Sequence, residues 1–306
     1  MQKTLKDQEV LKDPASLPPK PASSFNDLAL RALSSIVMMS VALALTWFGG
    51  WSFAVLWVIA AIAILHEWLN MTRLPRADTI TSIMAVAFLL SVIIDWFMPL
   101  HVANMPISSM KIGVFLVCVA LSACLLPTSR DRLWLYLGVA YALVIAIVPS
   151  LVRNDPSLGY MGGIAVLLWI YAVVWITDIG AYFSGRLIGG AKLWPAISPK
   201  KTWAGFIGGV LCGACAGVGV YVWFAASGKL DVSEIIPLFV ASLLAAMVGQ
   251  GGDLGESALK RHFNVKDASH LIPGHGGVMD RLDAFWAVCL IVMIAIALRP
   301  YLVTVS

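Results

Sequence analysis

The chain is a succession of long apolar stretches separated by shorter polar ones. Nine apolar segments can be counted, at approximately 28–48, 51–69, 79–98, 111–126, 133–149, 160–178, 203–224, 235–249 and 284–304. Runs of about 20 apolar residues are what an α-helix needs to cross the hydrocarbon core of a bilayer. The fourth and eighth segments are short for a full span, which predicts tilted or partly buried helices there. The pattern predicts an all-α, polytopic integral membrane protein of about nine transmembrane helices. Residues 1–27 stand outside it: they are polar and proline-containing ("LKDPASLPPKPASSFND") and lack the apolar core and cleavage site of a signal peptide. They read as a retained, disordered cytoplasmic tail.

Composition strengthens this reading. Of the 306 residues, 60% are hydrophobic and only 12% charged, and the mean hydropathy is +0.87. A water-soluble fold of this size could not cover itself with so little charge. Charge also orients the chain. With the N-terminus inside, the inside loops are 70–78, 127–132, 179–202 and 250–283, and of the 21 lysines and arginines only Lys111, Arg153, Lys229 and Arg299 fall on the other side. Positive charge is retained on the cytoplasmic face, so the N-terminus is expected in the cytoplasm and the C-terminus outside.

The two longest inside loops, 179–202 and 250–283, are the richest in polar residues and are joined by two helices that go out and return. Residues 28–160 therefore read as a transmembrane scaffold, and 161–306 as the region that carries chemistry. No internal repeat is visible, which argues against an inverted-repeat transporter. The five cysteines all lie in apolar segments. The CxxC spacing of "CGAC" at 212–215 sits among small residues that let helices approach closely, so packing is expected rather than a disulfide or a zinc site.

The first polar loop reads "TDIGAYFSGRLIGGAKLWPAISPKKTWAGFIGG". Asp178 ends the sixth apolar segment, and an ionisable group there either faces a polar cavity or lies in the headgroup layer. Ser198-Pro199 has the form of an N-cap followed by proline at the first helical position, which would place Lys200 and Lys201 in a first helical turn. Cations there oppose the helix dipole unless an anion is bound between them. Lysines snorkelling to lipid headgroups are the plainer alternative.

The second loop reads "GQGGDLGESALKRHFNVKDASHLIPGHGGVMDRLDA". Glycines around Asp253 allow close backbone approach to a ligand, a weak signal by itself. Lys260 and Arg261 are adjacent, "GHGG" precedes a helix, and Asp280 and Asp283 are spaced to share one face of it. Two carboxylates at that spacing suit a divalent metal, for which magnesium is the candidate. An Asp280–Arg281–Asp283 surface ion cluster of little energetic consequence is the alternative. Taken together, basic residues for phosphates and carboxylates for a metal fit phosphoryl or nucleotidyl transfer, which needs charge neutralisation and in-line placement more than covalent chemistry. No P-loop, HExxH or GxSxG motif is present.

The run "SALKRHFNVKDASHLIPGHGGVMDRLD" at 257–283 resembles the signature of the phosphatidate cytidylyltransferases, or CDP-diacylglycerol synthases. Ser257, Lys260, Arg261, Lys266, Asp267, His275, Gly276, Gly277, Asp280, Arg281 and Asp283 fall in register with it. Upstream, "DIGAYFSGRLIGG" and "SPKKTWAGFIGG" resemble the family's other blocks, so the likeness covers about 170–285. The resemblance implies transfer of CMP from CTP to phosphatidic acid, giving CDP-diacylglycerol and pyrophosphate. Its implied cofactor is Mg2+, held by Asp280 and Asp253 with Asp178 and Asp283 as next candidates. Asp280, Asp253, Lys200, Lys260 and Arg281 are the implied catalytic residues. Ser198, Lys200, Lys201, Lys260, Arg261, His275, Gly276 and Gly277 are the implied substrate-binding residues.

Expected partners are CTP, phosphatidic acid and membrane lipid, with no nucleic acid, and association as a homodimer is left open. The implied location is the inner (plasma) membrane, with the site facing the cytoplasm. One departure stands out: Ala204 occupies a position where the family usually has glutamate. The rival readings are a CTP-dependent enzyme for another lipid phosphate, a weakened relative that only binds, and an ion-coupled transporter using Asp178 and Asp253.

Overall fold

A computed structural model describes residues 25–97, 101–102, 105–155, 158–225, 231–272 and 276–303. The N-terminal tail expected at 1–27 lies almost wholly outside these residues. Helices dominate: α1 (Phe25–Phe48), α2 (Gly50–Met71), α3 (Ala77–Phe97), α4 (Ile107–Cys124), α5 (Ser129–Arg153), α6 (Gly159–Leu187), α7 (Trp203–Ala225), α8 (Ile235–His262) and α9 (Met279–Val303). Two small antiparallel hairpins complete the fold, β1 (His101–Val102) with β2 (Met105–Pro106) and β3 (Lys192–Trp194) with β4 (Ser198–Thr202). Among the described residues six helical stretches are long and apolar enough to cross a membrane: Gly50–Met71, Ala77–Ile94, Ser129–Arg153, Met161–Leu187, Trp203–Ala225 and Val232–His262. Leu33–Phe48 and Gly113–Cys124 are shorter apolar helices. The chain is thus an all-α membrane protein.

Local chemistry explains where the helices stop. Gly49 and Gly50 both take positive φ, 67° and 65°, and so break α1 from α2. The guanidinium of buried Arg153 then closes the end of α1, Nε donating to Thr46 O at 2.9 Å and Nη2 to Trp47 O at 3.4 Å. A cation at a helix C-terminus satisfies carbonyls that have no partner of their own. At the start of α5, Thr128 Oγ1 accepts from the Asp131 amide at 3.1 Å and donates to Asp131 Oδ2 at 2.6 Å.

Packing of the second half depends on small residues. A β-carbon on Gly209 would fall 2.7 Å from Thr177 O, and one on Gly205 would fall 2.8 Å from Ala181 O, so α6 and α7 touch nearly backbone to backbone. Cys212 lies against Gly180 on this seam, and Gly213 and Ala214 between the two cysteines of "CGAC" are buried in it. Helix α9 is tied to α2 and α5 of the first half by aromatic pairs. Phe285 stacks on Trp57 at 4.8 Å, Trp286 stacks on Tyr141 at 4.3 Å, and Trp286 Nε1 donates to Tyr141 O at 3.0 Å. Such pairs add specificity to burial that is otherwise non-directional.

Two features differ from the sequence expectation. Helices α6 and α8 outrun their apolar segments, so "DIGAYFSGRL" and "GQGGDLGESALKRH" are helical rather than loop. Hydropathy marks where a helix becomes polar, not where its backbone bonding ends. Ser198-Pro199 does not cap a helix. Gly189 and Gly190, with φ of 68° and 89°, follow the end of α6, and residues 195–197 then turn the chain back, Ile197 N donating to Trp194 O at 3.2 Å, so that Ser198 and Thr202 pair with Trp194 and Lys192. The helix starts only at Trp203, and Thr202 Oγ1 caps it by accepting from Gly205 N at 3.1 Å. Lys200 and Lys201 accordingly lie on a strand, and the dipole conflict that suggested an anion between them does not arise.

Candidate active site

Helix α8 places Asp253, Glu256, Ser257 and Lys260 at spacings of three, four and seven, all on one face. That face looks at the start of α9 and at hairpin β3–β4. Lys260 is only 8% exposed, and its ammonium lies 3.1 Å from Glu256 Oε1 and 2.5 Å from Asp280 Oδ1. The other oxygen of Asp280 accepts from the amides of Gly277 at 2.8 Å and Ala268 at 2.9 Å. Asp280 thereby closes the segment that precedes its own helix. Gly276 makes this possible: its φ is 87°, and a β-carbon there would lie 2.9 Å from Asp280 Oδ2.

A second pair stands beside the first. Lys201 Nζ lies 2.5 Å from Asp253 Oδ2, and Ser257 Oγ donates to Asp253 Oδ1 at 3.4 Å. Asp178, on α6, lies within electrostatic reach of Asp253, Lys201 and Arg281. Asp283 lies within reach of Glu256 and Asp253. Carboxylates from α6, α8 and α9 therefore meet lysines from β4 and α8 in one cluster, in which Glu256 and Lys260 are buried, Lys201, Asp253, Asp280 and Asp283 half-buried, and Asp178 and Arg281 exposed.

Negative charge exceeds positive in that cluster, and Glu256, 4% exposed, must share the single ammonium of Lys260 with Asp280 while lying beside Asp283. Buried like charges at such separations are costly unless a cation is added or a carboxylate is protonated. The donors are all hard oxygens, which suits magnesium. Among the described residues no three histidine, cysteine or acidic side chains already converge on one ion-sized point; the lysines hold Asp253 and Asp280 instead. The donor set fits the metal in its chemistry.

Asp178, Lys201, Asp253, Lys260, Asp280, Arg281 and Asp283, all singled out in the sequence, come together. Others are peripheral. Lys200 is exposed, Ser198 opens the outer strand of the hairpin, and Arg261 Nη1 donates to Val265 O at 2.9 Å to finish α8. His275 lies outside the described residues. Gly276 and Gly277 are crowded by protein carboxylates: a β-carbon on Gly277 would lie 2.7 Å from both oxygens of Glu67. Sequence reasoning passed over Glu256 and Glu67. Glu256 could have been found from its spacing to Asp253 and Lys260. Glu67 could have been found as a lone carboxylate inside the apolar run "AILHEWLNM", since charge within a membrane helix is costly and rarely idle.

Comparison with known proteins bears on what this cluster does. The model of the cytidylyltransferase family matches residues 29–299, nearly the whole chain. The chain belongs to the cytidylyltransferase family. Among curated members of that family, the phosphatidate cytidylyltransferase of Brucella suis biovar 1 (strain 1330) is 35% identical over 262 residues, covering 86% of this chain and 90% of that protein. The phosphatidate cytidylyltransferase of Staphylococcus haemolyticus (strain JCSC1435) is 32% identical over 266 residues, covering 84% and 95%. That of Staphylococcus aureus (strain COL) is 31% identical over 263 residues, with the same coverage. In this cytidylyltransferase, therefore, the likeness in sequence runs through the first five helices as well as the charged cluster.

Proposed function

We propose that this chain transfers CMP from CTP to phosphatidic acid, releasing pyrophosphate and forming CDP-diacylglycerol for phospholipid synthesis. The observation that carries this reading is the pairing of half-buried Lys201 with Asp253 and of enclosed Lys260 with Asp280 in a chain of this family. A phosphatidate oxygen attacks the α-phosphorus of CTP. The new P–O bond forms as the bond from that phosphorus to the bridging oxygen breaks, and pyrophosphate leaves with the electron pair. Phosphatidate is already anionic near neutral pH, so no general base is needed. Lys201 and Arg281 are placed to hold phosphate oxygens, because phosphate can compete with Asp253 and Asp178 for them. Lys260 holds Asp280 and Glu256 in place, which limits reorganisation during transfer. Magnesium would be held by Asp253 and Asp283 with Asp178, Asp280 and Glu256 at hand, and when bound it supplies positive charge to the phosphate oxygens.

The lipid phosphate lies at the membrane surface, which accounts for charge being pressed against helix ends. The same reading puts nine spans in the inner (plasma) membrane, the N-terminus in the cytoplasm and the site on the cytoplasmic face, where CTP is found. The distribution of lysine and arginine supports that orientation. The test is radiolabel transfer from CTP into chloroform-extractable lipid by purified protein in detergent–phosphatidate micelles, with and without magnesium. Magnesium-dependent label that is lost in Asp253→Asn is expected. Absence of label from folded protein that still binds CTP would sink the acceptor assignment.

A further inference from the structure

Among the described residues, Glu67 is the carboxylate of the first half whose hydrogen bonds reach the signature segment. It lies four residues before the end of α2 and is 1% exposed. Its Oε1 accepts from Ser269 Oγ at 2.6 Å and from Val278 N at 2.8 Å, and its Oε2 accepts from Met279 N at 2.7 Å. Ser269 Oγ in turn accepts from Leu271 N at 3.1 Å. The free amides at the start of α9 are thus divided between two carboxylates. Gly277 N goes to Asp280, while Val278 N and Met279 N go to Glu67. Gly277 has no room for a side chain because Glu67 lies against its α-carbon. A buried carboxylate with three donors is well satisfied and strongly directional.

We infer that Glu67 is a positioning residue of the nucleotidyl-transfer site. It pins residues 269, 278 and 279 from the outside while Asp280 pins 268 and 277 from the inside. Together they fix where Asp280 meets Lys260. The first half of the chain is therefore a working part of the site and not only its wall. Glu67 touches no reacting atom. Its effect runs through the placement of Asp280, so the inference rests on the site reading given above. Loss of such placement can cost about 100-fold in rate for a shift of about 1 Å.

The test compares wild type with Glu67→Gln, Glu67→Asp and Ser269→Ala. Glutamine keeps the shape but turns a donor toward an N–H that needs an acceptor. We expect Glu67→Gln to lower kcat by about 10- to 100-fold with KM for CTP within about 3-fold, the pattern of lost transition-state placement. Hydrogen exchange should quicken at 268–283 and stay unchanged in α5 and α7. Glu67→Asp, which keeps both acceptors, should recover part of the rate.

Unchanged kcat with faster exchange at 268–283, or a KM rise alone, overturns the inference. So does a rate loss that tracks faster exchange throughout the molecule. Should the Glu67 variants fail to fold, Ser269→Ala decides: lower kcat at wild-type melting temperature supports the inference, and wild-type kcat overturns it. Asp280→Asn is measured alongside. If it keeps the full rate the site reading itself fails, separately from anything Glu67→Gln shows.

Discussion

Lys260 and Asp280, 20 residues apart in the chain and on different helices, meet with Nζ 2.5 Å from Oδ1. The contact joins α8 to α9 where both helices turn from apolar to charged. It is not a surface ion pair of the kind that adds little, because both side chains are largely enclosed and Glu256 shares the same ammonium. Removing one partner leaves charge buried without compensation.

Lys260→Met should therefore destabilise the fold by about 3–5 kcal/mol, the usual cost of breaking a buried pair from one side. Label transfer should fall by more than about 100-fold, as for loss of a group that organises charge in the site. Thermal unfolding in detergent, read beside turnover, checks both. A variant with wild-type melting and rate would show that the contact carries neither role.

Lys201 and Lys200 are neighbours with unequal tasks. Lys201 is partly enclosed and paired with Asp253, whereas Lys200 is exposed. Lys201→Ala should cost about 100-fold or more in kcat/KM, and Lys200→Ala about 10-fold less than that. Equal losses would mean that the strand presents both to phosphate in the working enzyme.

Helix α8 approaches α9 through Gly252. A β-carbon there would lie 2.5 Å from Ala287 Cβ and 2.8 Å from Asp283 O. Gly252→Ala should push the helices apart, lowering stability by about 1–3 kcal/mol and slowing turnover, since Asp253 and Asp283 flank the seam. The intrinsic helix preference of alanine favours the substitution by up to about 1 kcal/mol. A rise in melting temperature would therefore mean that the seam relaxes freely.

Arg153 separates stability from chemistry. It serves the end of α1 through Thr46 O and Trp47 O and is remote in the fold from the charged cluster. Arg153→Met should lower stability by about 1–3 kcal/mol, the cost of leaving buried carbonyls without donors. kcat per folded molecule should stay at the wild-type value, which turnover normalised to monodisperse protein will test.

Ala204 lies in the first turn of α7, at the position where the block it resembles usually has glutamate. Lys201 already has Asp253 as its carboxylate partner. Ala204→Glu should change turnover by less than about 3-fold and raise helix stability by about 0.3–1 kcal/mol through the dipole. A large gain in rate would instead identify the natural site as weakened.

The character of this protein is written locally. Spans of apolar residues specified membrane helices because the length and hydropathy of a segment are properties of that segment alone. The spacing of Asp253 to Lys260 and of Asp280 to Asp283 specified shared helix faces for the same reason. Motif residues could be recognised before any of them was placed. Partnership was not written there. Whether Lys201 would sit in a helix or on a strand depended on a turn at residues 195–197 and on pairing with Lys192–Trp194 across it. That Asp280 would meet Lys260, and Asp253 meet Lys201, depended on how closely glycine seams let α6, α7, α8 and α9 approach. Glu67 shows the limit most clearly, since its donors lie some two hundred residues away in the chain. In sequence it is a lone charge in an apolar run. Only tertiary packing brings it the amides that make burying it tolerable, because electrostatic and hydrogen-bond energies follow distance through space and not separation along the chain.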